Sequence, residues 1–308
     1  MYYLNMNSLK DVCLNNIVNS EIFFLENKNN ISFKLSRLPI ELLREISEKI
    51  SQKAQKKSFA QDRLISWLQN KKPLPILILN EKLLPSPIAL KQSIRDFDCK
   101  VFYSNCINAE IPPKVDLSFF PKADALHLEH VELTDASWDI LKQALLTNKL
   151  TALHLNFVEI TEKKALDLFQ IISQNTSLQH LSLQNNSLGS ASLSQLFRTL
   201  GAHPSLHTLE VATNGIDSDD NGNFPILEAF GELLKENTKL QEVKATFSLF
   251  FSCPFDQIIP ILTCRKDPLF LDLSENSISD ESLEALNNAS NSLIQISLHL
   301  PSASQLAK

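Results

Sequence analysis

The feature that most limits what this chain can fold into is its self-similarity. LTALHLNFVEI begins at Leu150, LQHLSLQNNSL at Leu178, LHTLEVATNGI at Leu206 and PLFLDLSENSI at Pro268. Each keeps closely to the order L-x-x-L-x-L-x-x-N-x-L. Weaker copies are DALHLEHVEL from Asp124, LQEVKATFSLF from Leu240 and LIQISLHL from Leu293, and two degenerate ones are LPILILNEKLL from Leu74 and CKVFYSNCIN from Cys99. The middle apolar residues of the copies are Leu77, Val101, Leu126, Leu153, Leu181, Leu209, Val243, Leu271 and Ile296. They are spaced 24, 25, 27, 28, 28, 34, 28 and 25 residues apart. A near-constant period of this size marks a stacked repeat architecture.

Elementary geometry gives the repeat its local structure. L-x-L alternation places two leucines on one face of a short strand and polar residues on the other. The segments between strands have helical period. In ASLSQLFRTL, Leu193, Leu196, Phe197 and Leu200 fall at i, i+3, i+4 and i+7. ALDLFQIIS and ILEAFGELL behave likewise. One strand and one helix cannot bury their apolar faces alone, whereas units stacked side by side share a continuous core. The prediction is an α/β chain of parallel strands and connecting helices.

These copies resemble the leucine-rich repeat family over roughly residues 74–300. Gaps of 27 and 28 resemble its ribonuclease-inhibitor-like class. Gaps of 24 and 25, with Ile111-Pro112-Pro113, resemble the shorter bacterial class. The resemblance implies a curved solenoid of about nine repeats over 73–308, with strands on the concave face and helices on the convex face, after a helical N-terminal region and cap over 1–72. Asn186, Asn214 and Asn276 occupy the repeat's asparagine position, where side-chain amides can satisfy backbone groups as the chain leaves the strand. Cys106 stands in that column as a structural substitute. Val131 and Val158 depart from it, which predicts an interrupted ladder there.

Residues 1–72 carry no repeat. LPIELLREISEKI puts Leu38, Leu42, Leu43, Ile46 and Ile50 on one helical stripe, and SFAQDRLISWLQN puts Phe59, Leu64, Trp67 and Leu68 on another. Leu38, Pro39, Leu42, Leu43 and Ile46 resemble the first helix of an F-box, which over 38–68 implies docking to a Skp1-type adaptor. Lysines and glutamines in SEKISQKAQKKS stand where that motif carries apolar docking residues. The run DRLISWLQNKKPLPILILNEKLL is similar to the entry of leucine-rich-repeat effectors of bacterial pathogens. There Trp67 and Leu68 cap the open end of the repeat core. The chain ends eight residues past Leu300, so the ubiquitin-ligase domain of some such effectors is not expected.

Composition narrows the function classes. The net charge of −6 and pI near 5.7 argue against nucleic acid as a partner. There is no apolar run long enough for a membrane span and no basic-then-apolar N-terminal signal. Five cysteines at scattered spacings, without CxxC, read as free thiols in a reducing compartment, hence a cytosolic protein. Only five glycines are present, and GxGxxG, P-loop, GxSxG and HExxH patterns are all missing. An enzyme is therefore not expected, nor is a bound cofactor.

Strand positions that alternate with the leucines supply the candidate recognition residues. One column reads Phe102, His127, His154, Ser182, Glu210, Lys244, Asp272 and Ser297. The next reads Glu129, Asn156, Gln184, Ala212, Thr246, Ser274 and His299, and a third reads His130, Phe157, Asn185, Thr213, Phe247 and Glu275. Neighbouring strands lie about 4.8 Å apart, so His127 and His154 are expected side by side. With Glu129 they make the donor set of a two-histidine, one-carboxylate metal site. A polar protein-binding surface is the simpler reading of the column. Phe157 and Phe247 would be its aromatic anchors. TFSLFFSCPF, from Thr246 to Phe255, reads as a bulky core patch, with an exposed contact patch as the alternative.

One insertion carries a second metal reading. DSDDNGNFPILE, from Asp217 to Glu228, has the spacing of a calcium-binding loop, with Asp217, Asp219, Asn221, Asn223 and Glu228 as ligands. The 34-residue gap between Leu209 and Val243 places it at a rim of the repeat, where an acidic loop is the plainer reading. Pro225 then opens the following helix, where its missing N–H costs nothing. The expectation for the whole chain is a monomeric, non-enzymatic protein-binding scaffold. The resemblance implies a bacterial effector delivered into the host cytoplasm that binds, masks or redirects a host protein or another effector. The alternative is a substrate receptor linking a target to a Skp1-type ubiquitin ligase, with a calcium-dependent binding module more remote.

Overall fold

The computed structural model describes the backbone of residues 74–80 and 98–105, and residues 114–115, 117, 122–214, 225–246, 255–274, 276 and 278–298. The chain divides into two compact units, Met1–Leu141 and Lys142–Lys308. The expected cap over 1–72 lies outside the described residues. Among the described residues no helix is long and apolar enough to cross a membrane.

In the first unit the described strands are β1 (Leu74–Asn80), β2 (Asp98–Asn105), β3 (Lys114–Val115), β4 (Lys122–Glu129) and β5 (Glu132–Leu133). β1, β2 and β4 pair in parallel in that order, and β3 pairs in parallel with β5. The register corrects the sequence reading of β2 by one residue. Phe102, not Val101, stands between Leu77 and Leu126, and Tyr103, not Phe102, stands beside His127. VFY offers three consecutive large apolar residues, so alternation alone does not choose the register.

Helix α1 runs Asp135–Leu146. Thr134 precedes it and accepts the Ser137 N–H on its Oγ1 at 3.2 Å, a side-chain cap at the first turn. The buried Ser137 hydroxyl donates to Val115 O at 2.6 Å and accepts from Leu117 N at 2.9 Å. This ties the start of the helix to the short β3 segment.

In the second unit β6 (Ala152–Asn156), β7 (His180–Ser182), β8 (Thr208–Glu210), β9 (Glu242–Lys244), β10 (Leu269–Asp272) and β11 (Ile294–Ser297) pair in parallel in chain order. Leu153, Leu181, Leu209, Val243, Leu271 and Ile296 share one register, as the repeat spacing predicts. Between strands lie α2 (Glu162–Ile172), α3 (Gly189–Gly201), α4 (Pro225–Glu236), α5 (Ile259–Cys264) and α6 (Asp280–Ala289), with a 3₁₀ turn at Phe255–Ile258 before α5. α2 starts where Thr161 caps the Lys164 N–H, and α6 where Ser279 caps the Ser282 N–H. α4 opens on Pro225, as its missing donor predicts.

The helical stripes and the strand leucines bury together. Leu193, Leu196, Phe197 and Leu200 of α3 are all 1% exposed or less, as are the strand leucines Leu181 and Leu209 and Leu183 just past β7. Phe197 and Phe230 tie α3 to α4, ring centroids 5.2 Å apart and tilted at 44°. Phe255, at the end of TFSLFFSCPF, is a core residue, 1% exposed. Residues 247–254 of that run lie outside the described residues.

Two asparagine ladders close the backbone at opposite ends of the strands. At the strand exits, the Asn186 amide donates to Leu155 O and Leu183 O, the Asn214 amide to Leu183 O and Val211 O, and the Asn276 amide to Ala245 O and Leu273 O. Val158 does not break the chain of bonds, because its own N–H donates to Asn186 Oδ1 at 3.0 Å. A valine can occupy this rung, since the following repeat supplies the acceptor.

The second ladder lies before the strands, outside the positions that the repeat pattern marks. Asn175 and Asn237 accept the N–H groups of Leu178 and Leu240 and donate to the helix-end carbonyls of Leu145 and Leu200 in the preceding repeat. Asn291 accepts from Leu293 and Ile294 N–H in the same way. Between Asn175 and Asn291, two positions of this column are not asparagine. His203 accepts only a long 3.5 Å contact from Ser205 N, and Arg265 donates to the carbonyls of Leu234, Asn237 and Leu240.

Candidate functional site

On each strand of the second unit, residues alternating with the leucines face the side opposite the core. The register sets them in three rows across β6 to β11. The first row is Ala152, His180, Thr208, Glu242, Phe270 and Gln295. The second is His154, Ser182, Glu210, Lys244, Asp272 and Ser297, and two residues further on, where the chain leaves the strands, a third begins Asn156, Gln184, Ala212 and Thr246. The second and third rows match the columns read from the sequence. The first, one residue before each leucine marker, is new.

The middle row is less open than alternation suggests. His154, Ser182 and Glu210 are buried, at 8, 0 and 4% exposure, while Lys244 and Asp272 are half-buried. Two of them, Ser182 and Glu210, are bonded by side chains of neighbouring repeats. Gln184 Nε2 donates to Glu210 Oε2 at 2.5 Å, and Lys244 Nζ lies 2.8 Å from Glu210 Oε1 and 3.5 Å from Glu242 Oε1. The Ser182 hydroxyl and the Gln184 N–H both donate to Asn156 Oδ1, at 2.8 and 3.1 Å. Asn156, Ser182, Gln184, Glu210, Lys244 and Glu242 are thus linked in one polar network.

The first row is the accessible one. His180, Phe270 and Gln295 are exposed, and Thr208 and Glu242 are half-buried. The His180 imidazole is held below its usual pKa, first by loss of water among neighbouring side chains and then by the His207 charge, with the Glu210 carboxylate opposing.

The strand exits form a further line. Phe157, Asn185 and Thr213 all have left-handed backbone, with φ of 55°, 56° and 53°. Their N–H groups donate to Gln184 O, Ala212 O and Thr246 O of the next repeat, which holds the conformation in place. It turns Phe157 outward, leaving it 38% exposed. In the first unit, His130 has the same left-handed backbone and is half-buried, while His127 and Glu129 are buried.

Phe247, Glu275 and the loop ligands Asp217, Asp219, Asn221 and Asn223 lie outside the described residues, as do the adaptor-docking candidates Leu38, Pro39, Leu42, Leu43 and Ile46. Glu228 is exposed in the first turn of α4. Among the described residues no three His, Cys, Asp or Glu side chains gather as a metal ion requires.

No family model matches the chain. No curated protein matches it. Among solved structures it is similar to the tropomodulin C-terminal domain of Caenorhabditis elegans, with 15% identity and a TM-score of 0.38, over 51% of this chain and 91% of that one.

Proposed function

We propose that this chain is a non-enzymatic recognition protein, a leucine-rich-repeat solenoid whose strand face binds a protein partner. The supporting observation is the composition and cross-bracing of that face in the second unit. Buried polar residues cross-brace one another beside an accessible row that includes Phe270, and Phe157 stands at the strand exits. Cross-bracing lowers the entropy lost on binding, and exposed aromatics supply apolar contact area. Binding then needs no rearrangement of the strands, so capture is that of a rigid surface. The wider reading, delivery from a bacterium into a host cytoplasm to mask or redirect a protein there, is supported by the sequence resemblance alone. A translocation reporter tests it.

The face itself is tested by affinity purification from host lysate with the full chain and with a Phe157→Ala/Phe270→Ala double variant. The expected result is a protein retained by the parent and lost from the double variant, with unchanged thermal unfolding. Retention by both would remove the strand face from the function.

A further inference from the structure

The accessible row changes character along the sheet, and its most distinctive part is at β8 to β10. Phe270 is 37% exposed on a strand whose other residue on that face is Asp272. Its register partners are Glu242 on β9 and Gln295 on β11. Asp272 lies two residues further along the same strand, so it faces the same side. Glu210 is beside Lys244, and Lys244 beside Asp272. On this side of β8, β9 and β10 the charges are three carboxylates, Glu210, Glu242 and Asp272, against one ammonium, Lys244. Lys244 leans toward Glu210 and Glu242, at 2.8 and 3.5 Å. Among the described residues of this face, carboxylates therefore exceed cations by two around an open aromatic ring, on a chain whose net charge is already −6.

Core packing does not explain Phe270, because Leu269 and Leu271 on either side of it supply the buried contacts, at 2 and 0% exposure. A ring beside carboxylates has a definite chemical complement. A guanidinium is flat, stacks on an aromatic face and donates in a fork to carboxylates at its edge. An ammonium is a point charge with a tight water shell and gains less from the ring. Neighbouring strands are about 4.8 Å apart, and same-face residues on one strand are about 6.8 Å apart, so one guanidinium over Phe270 reaches Glu242 and Asp272 together.

We propose that the β8–β10 strand face is a docking site for an arginine-bearing segment of a protein partner, with the guanidinium stacked on Phe270 and its edges on Glu242 and Asp272. This rests on the recognition reading above and names the chemistry that the face selects.

The test is a fluorescence-anisotropy titration of the full chain with a labelled nine-residue Gly/Ser peptide carrying three arginines, against the same peptide with three lysines. The arginine peptide is expected to bind at least about fivefold more tightly than the lysine peptide. Phe270→Ala should abolish that preference. Glu242→Gln and Asp272→Asn should each weaken arginine-peptide binding by about fivefold or more. Asp272→Asn keeps an acceptor for the Ser274 N–H, which donates to Asp272 Oδ1 at 3.0 Å, so the turn is preserved. Glu228→Gln, an exposed acid on α4, should leave binding unchanged. Equal binding of the two peptides, or a preference that survives Phe270→Ala, would overturn the proposal in favour of unspecific charge attraction. No binding of the arginine peptide also overturns it. In that case a lysate partner still lost from the Phe157→Ala/Phe270→Ala variant leaves the recognition reading standing, and a partner retained there ends both.

Discussion

Lys244 Nζ lies 2.8 Å from Glu210 Oε1, across registered positions of β9 and β8. The carboxylate side chain is only 6% exposed and the lysine 28%, so this pair is screened less than a surface pair. Gln184 donates to the second oxygen. Removing Lys244 alone leaves a buried charge with one neutral donor, whereas removing both partners leaves no such charge. Lys244→Met is expected to cost on the order of 2 kcal/mol, and the Lys244→Met/Glu210→Met double variant less than the sum of the singles. Urea unfolding of the four proteins of the cycle measures the coupling. Additive losses would show that the pair is not linked.

Asn214 is fully buried, donates to Leu183 O and Val211 O, and accepts from the N–H groups of Asn186 and Leu188. Its removal strands several backbone groups in two repeats at once. Asn214→Ala should therefore cost on the order of 3 kcal/mol, and Asn214→Asp should not restore it, because a carboxylate cannot donate. The exposed helical Gln195→Ala should stay within about 0.5 kcal/mol. Denaturant midpoints for the three variants decide the point.

Much of this is legible in the amino-acid order. Leu153, Leu181, Leu209, Val243, Leu271 and Ile296 fall in one register because each is flanked by a polar residue that leaves only one face for the core. Asn186 and Asn214 can be placed because a polar residue fixed in an apolar pattern needs a backbone partner. β2 slips because VFY has no polar residue to break the tie. The second ladder is carried by N-x-x-L at Asn175 and Asn237, but His203 and Arg265 interrupt the spelling and hide the period. The row of His180, Glu242 and Phe270 escapes a reading of the columns because it precedes the leucine marker. Burial of Glu210 cannot be read at all, since it depends on how long side chains of adjacent strands fold over one another.

Thr213 carries a β-branched side chain at φ 53°, a region that disfavours such residues strongly. Its N–H bond to Thr246 O at 2.9 Å holds it there. The neighbouring repeat has Asn185 at the same position with φ 56°, and asparagine tolerates this backbone. Thr213→Asn is expected to raise stability by about 0.5–1 kcal/mol, and Thr213→Val to give no gain. Thermal unfolding distinguishes them. A stabilised valine variant would mean that backbone strain is not the operative term.

His203 occupies the second-ladder position that Asn175 and Asn237 fill in the flanking repeats, and it is only 4% exposed. Its Nε2 is buried and makes no hydrogen bond. An asparagine there has the reach to donate to Ile172 O, as Asn175 does to Leu145 O and Asn237 to Leu200 O. His203→Asn is therefore expected to stabilise the protein by about 1 kcal/mol at neutral pH. Burial also lowers the His203 pKa from its ordinary 6.5. The unfolded chain then takes up the proton first as pH falls. Above 6.5 both states are neutral at this residue and proton binding changes nothing. Between 6.5 and the lowered folded value, stability drops with falling pH, and below that value the loss is complete. His180, lowered as well, contributes in the same direction. Urea midpoints measured on both sides of pH 6.5 should fall more steeply toward acid for the parent than for His203→Asn, and least for His203→Asn/His180→Gln. Parallel curves for all three would show that neither histidine resists protonation in the folded state.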